Sequence, residues 1–206
     1  MICYWFPEPT YFFFAEGVPE LLYYSHFPTT IIALLLGIFV FFNARHLLPN
    51  RLLFLISIFF SVWTLTSLIL WTRIDSEFLI FIWTIHVSMF SFIAIYSVYF
   101  IYAFLRKEDV PYTMKLFFAL LLAPFLIFAP SDLNLTGFDF PNSDAFIYEC
   151  TIFKTYYIAL AILAMVWILV LLFNHYREAN PEFRKQIVLM GAGIEFFLFI
   201  SLRYFF

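Results

Sequence analysis

Six long apolar segments separated by short polar ones set the pattern of hydrophobic and polar positions along this chain of 206 residues. A helix needs about 20 apolar residues to cross a hydrocarbon layer roughly 30 Å thick. The pattern therefore predicts an all-α integral membrane protein with a six-helix transmembrane bundle. The predicted spans cover residues 21–43, 52–72, 78–105, 114–129, 151–174 and 186–206, after a tail formed by residues 1–20.

The composition supports this class of protein and excludes others. Hydrophobic residues make up 65% of the chain and charged residues only 12%, which is too few to give a soluble domain a polar exterior. The net charge is −3 and the sequence has no basic block, so the chain lacks the positive charge that nucleic-acid binding requires. We therefore expect membrane lipids as the main partner, with no cofactor.

Basic residues predict the orientation in the membrane. The connections after spans one, three and five are rich in Lys and Arg, which marks a cytoplasmic face. This places the N-terminus outside and predicts a multi-pass protein of the cell membrane. Cys3 and Cys150 then share the outer side, where an oxidising compartment would allow a disulfide. Eight of the eleven Lys and Arg residues lie on the predicted cytoplasmic side: Arg45, Arg51, Arg106, Lys107, Lys115, Arg177, Arg184 and Lys185.

The sixth apolar segment is still apolar where the sequence stops, at Tyr204-Phe205-Phe206. Two interpretations are open. The aromatic residues can anchor a natural terminus at the membrane interface. Alternatively, the chain is a truncated seven-helix bundle that lacks its last span, and this is the interpretation that we favour.

Two short motifs resemble one family. The first is Asn43-Ala44-Arg45 followed by Asn50-Arg51-Leu52-Leu53-Phe54, Ser57 and Ser61-Val62-Trp63, and the second is Asn180-Pro181-Glu182-Phe183-Arg184-Lys185-Gln186-Ile187 with Gly191. Together with the outer N-terminus and the basic inner turns, they resemble the N-terminal seven-transmembrane sensor region of bacterial histidine kinases. The resemblance implies an input domain for signalling, here without a seventh helix and without a kinase.

Glu195 and His86 are the leading candidate site residues, because ionisable groups inside a membrane are costly. Both fall at similar predicted depths, so we expect them to share a proton or a hydrogen bond. Glu195 follows Gly191-Ala192-Gly193, a patch that would let another helix approach closely. The alternatives are a structural hydrogen bond between helices for Glu195 and an ordinary core histidine for His86.

Trp63 and Trp83 complete the candidate set, since both lie deep within predicted spans. They would line an outward-facing pocket for a small apolar ligand, or else fill the core. No metal-ligand spacing and no nucleophile–base set is present in the sequence, so we expect no enzyme activity.

Two functions remain open. The first is a membrane sensor whose helices respond to a ligand, with a homodimer as one arrangement. The second is a small transporter or a structural subunit of a membrane complex. Pro28 and Pro124 interrupt spans one and four, at corresponding places in two three-span halves, and broken helices in repeated halves are typical of transporters.

Overall fold

A computed structural model describes residues 20–71, 76–131, 133–134, 138–139, 145–146 and 152–202. The predicted tail before Glu20, both cysteines and the last four residues lie outside these ranges.

Six helices account for most of the described residues, as the apolar segments predicted. The second and sixth helices begin four and five residues earlier than predicted, at Leu48 and Pro181. In both cases a proline stands in the first turn, where its missing N–H is not needed. The helices are α1 (Glu20–Asn43), α2 (Leu48–Leu70), α3 (Ser76–Arg106), α4 (Tyr112–Phe128), α5 (Ile152–Tyr176) and α6 (Pro181–Leu202).

Five of these helices are long and apolar enough to cross a membrane. The exception is α4, whose 17 residues extend about 26 Å at about 1.5 Å per residue. This length is slightly less than the hydrocarbon layer of a typical bilayer. The chain is thus a helical bundle with the length and composition of a multi-pass membrane protein.

Helix α3 forms the centre of the bundle and contacts α2, α4, α5 and α6. Its buried face carries small residues beside large ones, and Ala94, Val98 and Ile101 are completely shielded. Helix α1, by contrast, packs chiefly on α2 and leaves most of its apolar side chains exposed. The core therefore follows α3, and α1 lies at the edge.

Helices α1 and α2 meet along a row of small and hydroxyl-bearing residues. A Cβ atom placed on Gly37 would lie 2.6 Å from Ser57 Cβ, so the two backbones are already as close as they can be. Nearby, the hydroxyls of Thr30 and Thr64 are 2.7 Å apart, and Ser61 Oγ donates to the Thr30 carbonyl at 3.3 Å. Close backbone approach with hydrogen bonds is how helices associate where lipid replaces water.

Pro28 and Pro124 lie inside α1 and α4, and both helices continue through them. The short strands β1 (Phe138–Asp139) and β2 (Ala145–Phe146) pair antiparallel in the connection between α4 and α5. This pairing was not predicted.

The basic connections lie together at one end of the bundle, called here the basic end. Short turns join α1 to α2, α3 to α4 and α5 to α6 at this end. The rings of Phe104 in α3 and Phe183 in α6 pack against each other there, with centroids 5.5 Å apart.

Candidate functional site

Three of the four predicted site residues form one buried aromatic cluster between α2 and α3. The His86 ring lies 5.2 Å from the Trp63 ring and 5.7 Å from the Trp83 ring, with interplanar angles of 24° and 22°. Trp83 and His86 share a face of α3 because they are three residues apart. The sequence analysis named these three side chains as candidates, but it did not predict that they would lie in one cluster.

Hydrogen bonds hold the His86 ring in place. Its Nδ1 atom lies 3.1 Å from the Thr66 hydroxyl, and the ring also bonds to the backbone of Trp63. Thr66 itself bonds to the carbonyls of Val62 and Trp63, each at 2.9 Å. A buried imidazole with such partners fits the core-histidine interpretation and joins α2 to α3.

Asn134 closes this cluster at the end of the bundle opposite the basic end, and the sequence analysis did not name it as a site residue. Trp83 Nε1 donates to Asn134 Oδ1 at 3.4 Å, and Asn134 Nδ2 donates to the Ala129 carbonyl at 2.8 Å. The Thr84 hydroxyl donates to the same carbonyl at 3.1 Å. A loop residue that folds back over a bundle leaves no periodic pattern, so nothing in the sequence pointed to it.

Glu195 lies away from the aromatic cluster, in a cleft between α5 and α6. The cleft has a volume of about 450 Å³ and almost entirely apolar walls, which include Leu172 and Phe173 from α5 and Val188 from α6. The Oε1 atom of Glu195 is buried and has no hydrogen-bond partner among the described residues. Burying an oxygen atom in apolar surroundings without a hydrogen bond costs free energy.

The predicted contact between Glu195 and His86 is wrong, and the rotation of α6 gives the reason. Phe197 packs against the Trp63 and Phe90 rings at 5.8 and 6.4 Å, so this face of α6 meets the cluster. Residues two apart on a helix point about 200° apart. Glu195 therefore faces α5, away from His86.

The predicted small-residue patch is correct at one of its two glycines. A Cβ atom on Gly191 would lie 2.4 Å from Leu172 Cδ1, so α5 passes close to α6 there. A Cβ atom on Gly193 would meet nothing within 4 Å. Close helix approach thus depends on Gly191 alone within this patch.

Two arginines lie at the end of the cleft that coincides with the basic end. The guanidinium carbon of Arg177 is 4.6 Å from the Phe173 ring centroid, and that of Arg184 is 5.3 Å from the Tyr176 ring centroid. Phe173 and Tyr176 both line the cleft. Arg184 Nη2 also donates to the Arg177 carbonyl at 3.1 Å, so its side chain spans from α6 to the end of α5.

A further polar group lies at the basic end, in the connection between α3 and α4. The Lys115 ammonium is 2.5 Å from Asp109, and the Tyr99 hydroxyl donates to the same carboxylate. These bonds, with that of Lys115 the stronger influence, lower the pKa of Asp109. The pair is exposed and fixes the turn between two helices.

No group of three or more His, Cys, Asp or Glu residues among the described positions could hold a metal ion. No protein-family model matches the chain, and neither does any curated protein or solved structure.

Proposed function

We propose that the chain is a membrane-embedded sensor, the input domain of a signal-transducing protein. The sequence motifs that resemble the seven-transmembrane region of histidine kinases first suggested this role. The observation that carries it is the cleft between α5 and α6, which lies beside a motif of that resemblance at Asn180–Ile187.

The cleft has the properties of a site for a small apolar ligand. Its volume of about 450 Å³ falls within the range of about 300–1,000 Å³ that is usual for ligand pockets. Its walls belong to two helices that meet through apolar side chains, so an occupant can change their separation. A ligand shifts such an equilibrium only by its difference in affinity for the two arrangements.

The turn between α5 and α6 would transmit this change. It is four residues long, from Arg177 to Asn180, so movement of one helix at this end is passed to the other. In the proposed orientation the basic end is cytoplasmic and the N-terminus is outside.

The alternative, a transporter or a structural subunit, has less support. Transporter sites are typically formed by helices that are broken near the middle of the membrane. Here α1 and α4 continue through Pro28 and Pro124. Helix α3, which lies between α1 and α4 in the sequence, is tightly packed.

Filling the cleft should imitate a bound ligand. Val188 lines the cleft and is 55% exposed, whereas its neighbour Leu189 is 76% exposed and does not line it. In a chain without its native cysteines, spin labels at His46→Cys and Lys185→Cys report the distance between the α1–α2 turn and the start of α6. We expect Val188→Trp to shift this distance distribution in nanodiscs, and Leu189→Trp to leave it unchanged.

Identical distributions for the two tryptophan variants would contradict a sensing role for the cleft. The orientation is tested separately by labelling Cys3 in intact cells with a reagent that cannot cross the membrane. Labelling is expected without permeabilisation, and labelling only after permeabilisation would reverse the proposed orientation.

A further inference from the structure

We propose that the cleft between α5 and α6 binds an anionic phospholipid of the leaflet at the basic end. One acyl chain would lie in the cleft, and the phosphate would bind Arg177 and Arg184. This inference names the occupant of the cleft and so rests on the function proposed above.

The two arginines supply the site for the phosphate. Guanidinium groups suit phosphate because they donate several hydrogen bonds in a fixed planar arrangement. Within the described residues neither Arg177 nor Arg184 takes part in an ion pair, although Glu178 and Glu182 are close in sequence. Arg184 Nε is also buried without a hydrogen-bond partner in that part of the chain. The site therefore has cationic donors that no carboxylate of the described chain neutralises.

Three other basic residues at the same end contact groups outside the cleft. Lys115 is paired with Asp109, and Arg51 Nε donates to the Arg45 carbonyl at 2.6 Å. Arg106 lies over the Tyr102 ring at 5.0 Å, much as the two cleft arginines lie over theirs, but neither residue lines the cleft. Arg106 is therefore a matched control for a cation stacked on an aromatic ring at this end.

The distance from the arginines to the far end of the cleft matches the thickness of one leaflet. Arg184 and Glu195 lie on the same face of α6 and are eleven residues apart in the sequence, which is about 16 Å along a helix. Half of a hydrocarbon layer of roughly 30 Å is about the same distance. An acyl chain whose headgroup is at the arginines would therefore end near Glu195.

The exposure of the cleft also favours a lipid. Phe173 and Val188, on opposite walls, are 60% and 55% exposed, so the cleft opens sideways toward the surroundings of the bundle. An acyl chain can enter from the bilayer without leaving an apolar environment. Anionic headgroups are attracted to cationic residues at the membrane surface.

The test compares two photoreactive lipids in nanodiscs of phosphatidylcholine. Phosphatidylglycerol and phosphatidylcholine, each with a diazirine in the acyl chain, are added at equal mole fraction, and crosslinks are mapped by mass spectrometry. An arginine near the surface favours an anionic lipid by about fivefold. We therefore expect phosphatidylglycerol to label the cleft residues at least about fivefold more than phosphatidylcholine does.

Variants assign the two parts of the site. Arg177→Gln with Arg184→Gln should reduce phosphatidylglycerol labelling to the phosphatidylcholine level, whereas Arg106→Gln should not. Replacing both cleft arginines by lysine should retain part of the preference, which separates loss of charge from loss of folding. Val188→Trp should abolish cleft labelling by both lipids, and Leu189→Trp should not.

Equal labelling by the two lipids in the unaltered protein would overturn the proposal, as would a preference that survives loss of both arginines. The sensor proposal fails by a different result. If phosphatidylglycerol labels the cleft as expected but Val188→Trp leaves the spin-label distances unchanged, the lipid site stands and the sensing role does not.

Discussion

The first and last helical hairpins of the bundle solve the same packing problem in different ways. Both contain a glycine where the helices approach most closely, Gly37 in α1 and Gly191 in α6. Gly37 faces the small side chain of Ser57, and hydroxyl groups bond the helices together nearby. Gly191 faces Leu172, and both residues line the apolar cleft between α5 and α6.

This difference matters because lipid removes the hydrophobic drive for two apolar helices to associate. Close packing and hydrogen bonds between helices must then supply the stability. The α1–α2 hairpin has both, so we expect it to be rigid. The α5–α6 hairpin has close packing only near Gly191, so we expect it to separate more easily.

The largest expected effect comes from adding a methyl group at each glycine. Gly37→Ala places a Cβ atom against Ser57 Cβ, which is fixed to the α2 backbone, and overpacking of this kind costs about 1–3 kcal/mol. Gly191→Ala meets the end of the Leu172 side chain, which can rotate, so its cost should be smaller. The measurement is the free energy of unfolding in detergent micelles.

Gly193→Ala is the control for this comparison, because its Cβ atom would meet open space. It should show no loss of stability. An equal loss for Gly37→Ala and Gly191→Ala would mean that the two hairpins are equally tight.

A smaller effect is expected for the hydroxyl contact in the first hairpin. Thr30→Val and Thr64→Val each remove one side of a buried contact of 2.7 Å. Hydrogen bonds between helices in membranes average about 0.6 kcal/mol, so the coupling energy in a double-mutant cycle should be of that size. A coupling energy of zero would show that the contact between the two hydroxyls adds nothing to the association of α1 and α2.

The α3–α4 hairpin should be intermediate in rigidity between the other two, since an exposed ion pair joins its turn. The pKa of Asp109 is lowered by Lys115 and by Tyr99, so the carboxylate stabilises the fold above the ordinary pKa of Asp. This contribution is lost as the pH falls through the lowered value. Asp109→Asn should cause a small loss of stability at neutral pH, decreasing at acidic pH and at high salt. A loss that is independent of pH would assign the effect to packing.

The smallest expected effect is the coupling between Glu195 and His86. Because Glu195 in α6 faces α5, away from His86 in α3, Glu195→Leu and His86→Leu should be additive within about 0.5 kcal/mol. Glu195→Leu should itself be tolerated, since it removes a buried acceptor without a partner in the described chain. If one substitution reduced the loss of stability caused by the other, Glu195 and His86 would be in contact, as the sequence analysis predicted.

These cases show how far the sequence can predict this bundle. Long apolar segments predicted all six helices, because helix length in a membrane is set by the bilayer. The depth of Glu195 was estimated from an assumed start at residue 186, but α6 begins at Pro181. Its direction could not be predicted, since it depends on which face of α6 carries Phe197 into the core.

Local contacts can be predicted from the sequence where neighbouring residues determine them. Trp83 and His86 are one helical turn apart, so their proximity follows from the sequence. Their contact with Trp63 required the packing of α2 on α3. The contact with Asn134 required the path of a loop, which no periodic pattern records.

The burial of Asn134 has a consequence for production of the protein in a eukaryotic host. Asn134-Leu135-Thr136 matches the acceptor pattern for N-linked sugars. In the folded bundle, Nδ2, the atom that would carry the sugar, is buried and donates to the Ala129 carbonyl. A glycan at this position can therefore be attached only before the loop has packed against Trp83. The glycosylated fraction would therefore equal the proportion of molecules that the cell's glycosylation enzymes modified before folding was complete.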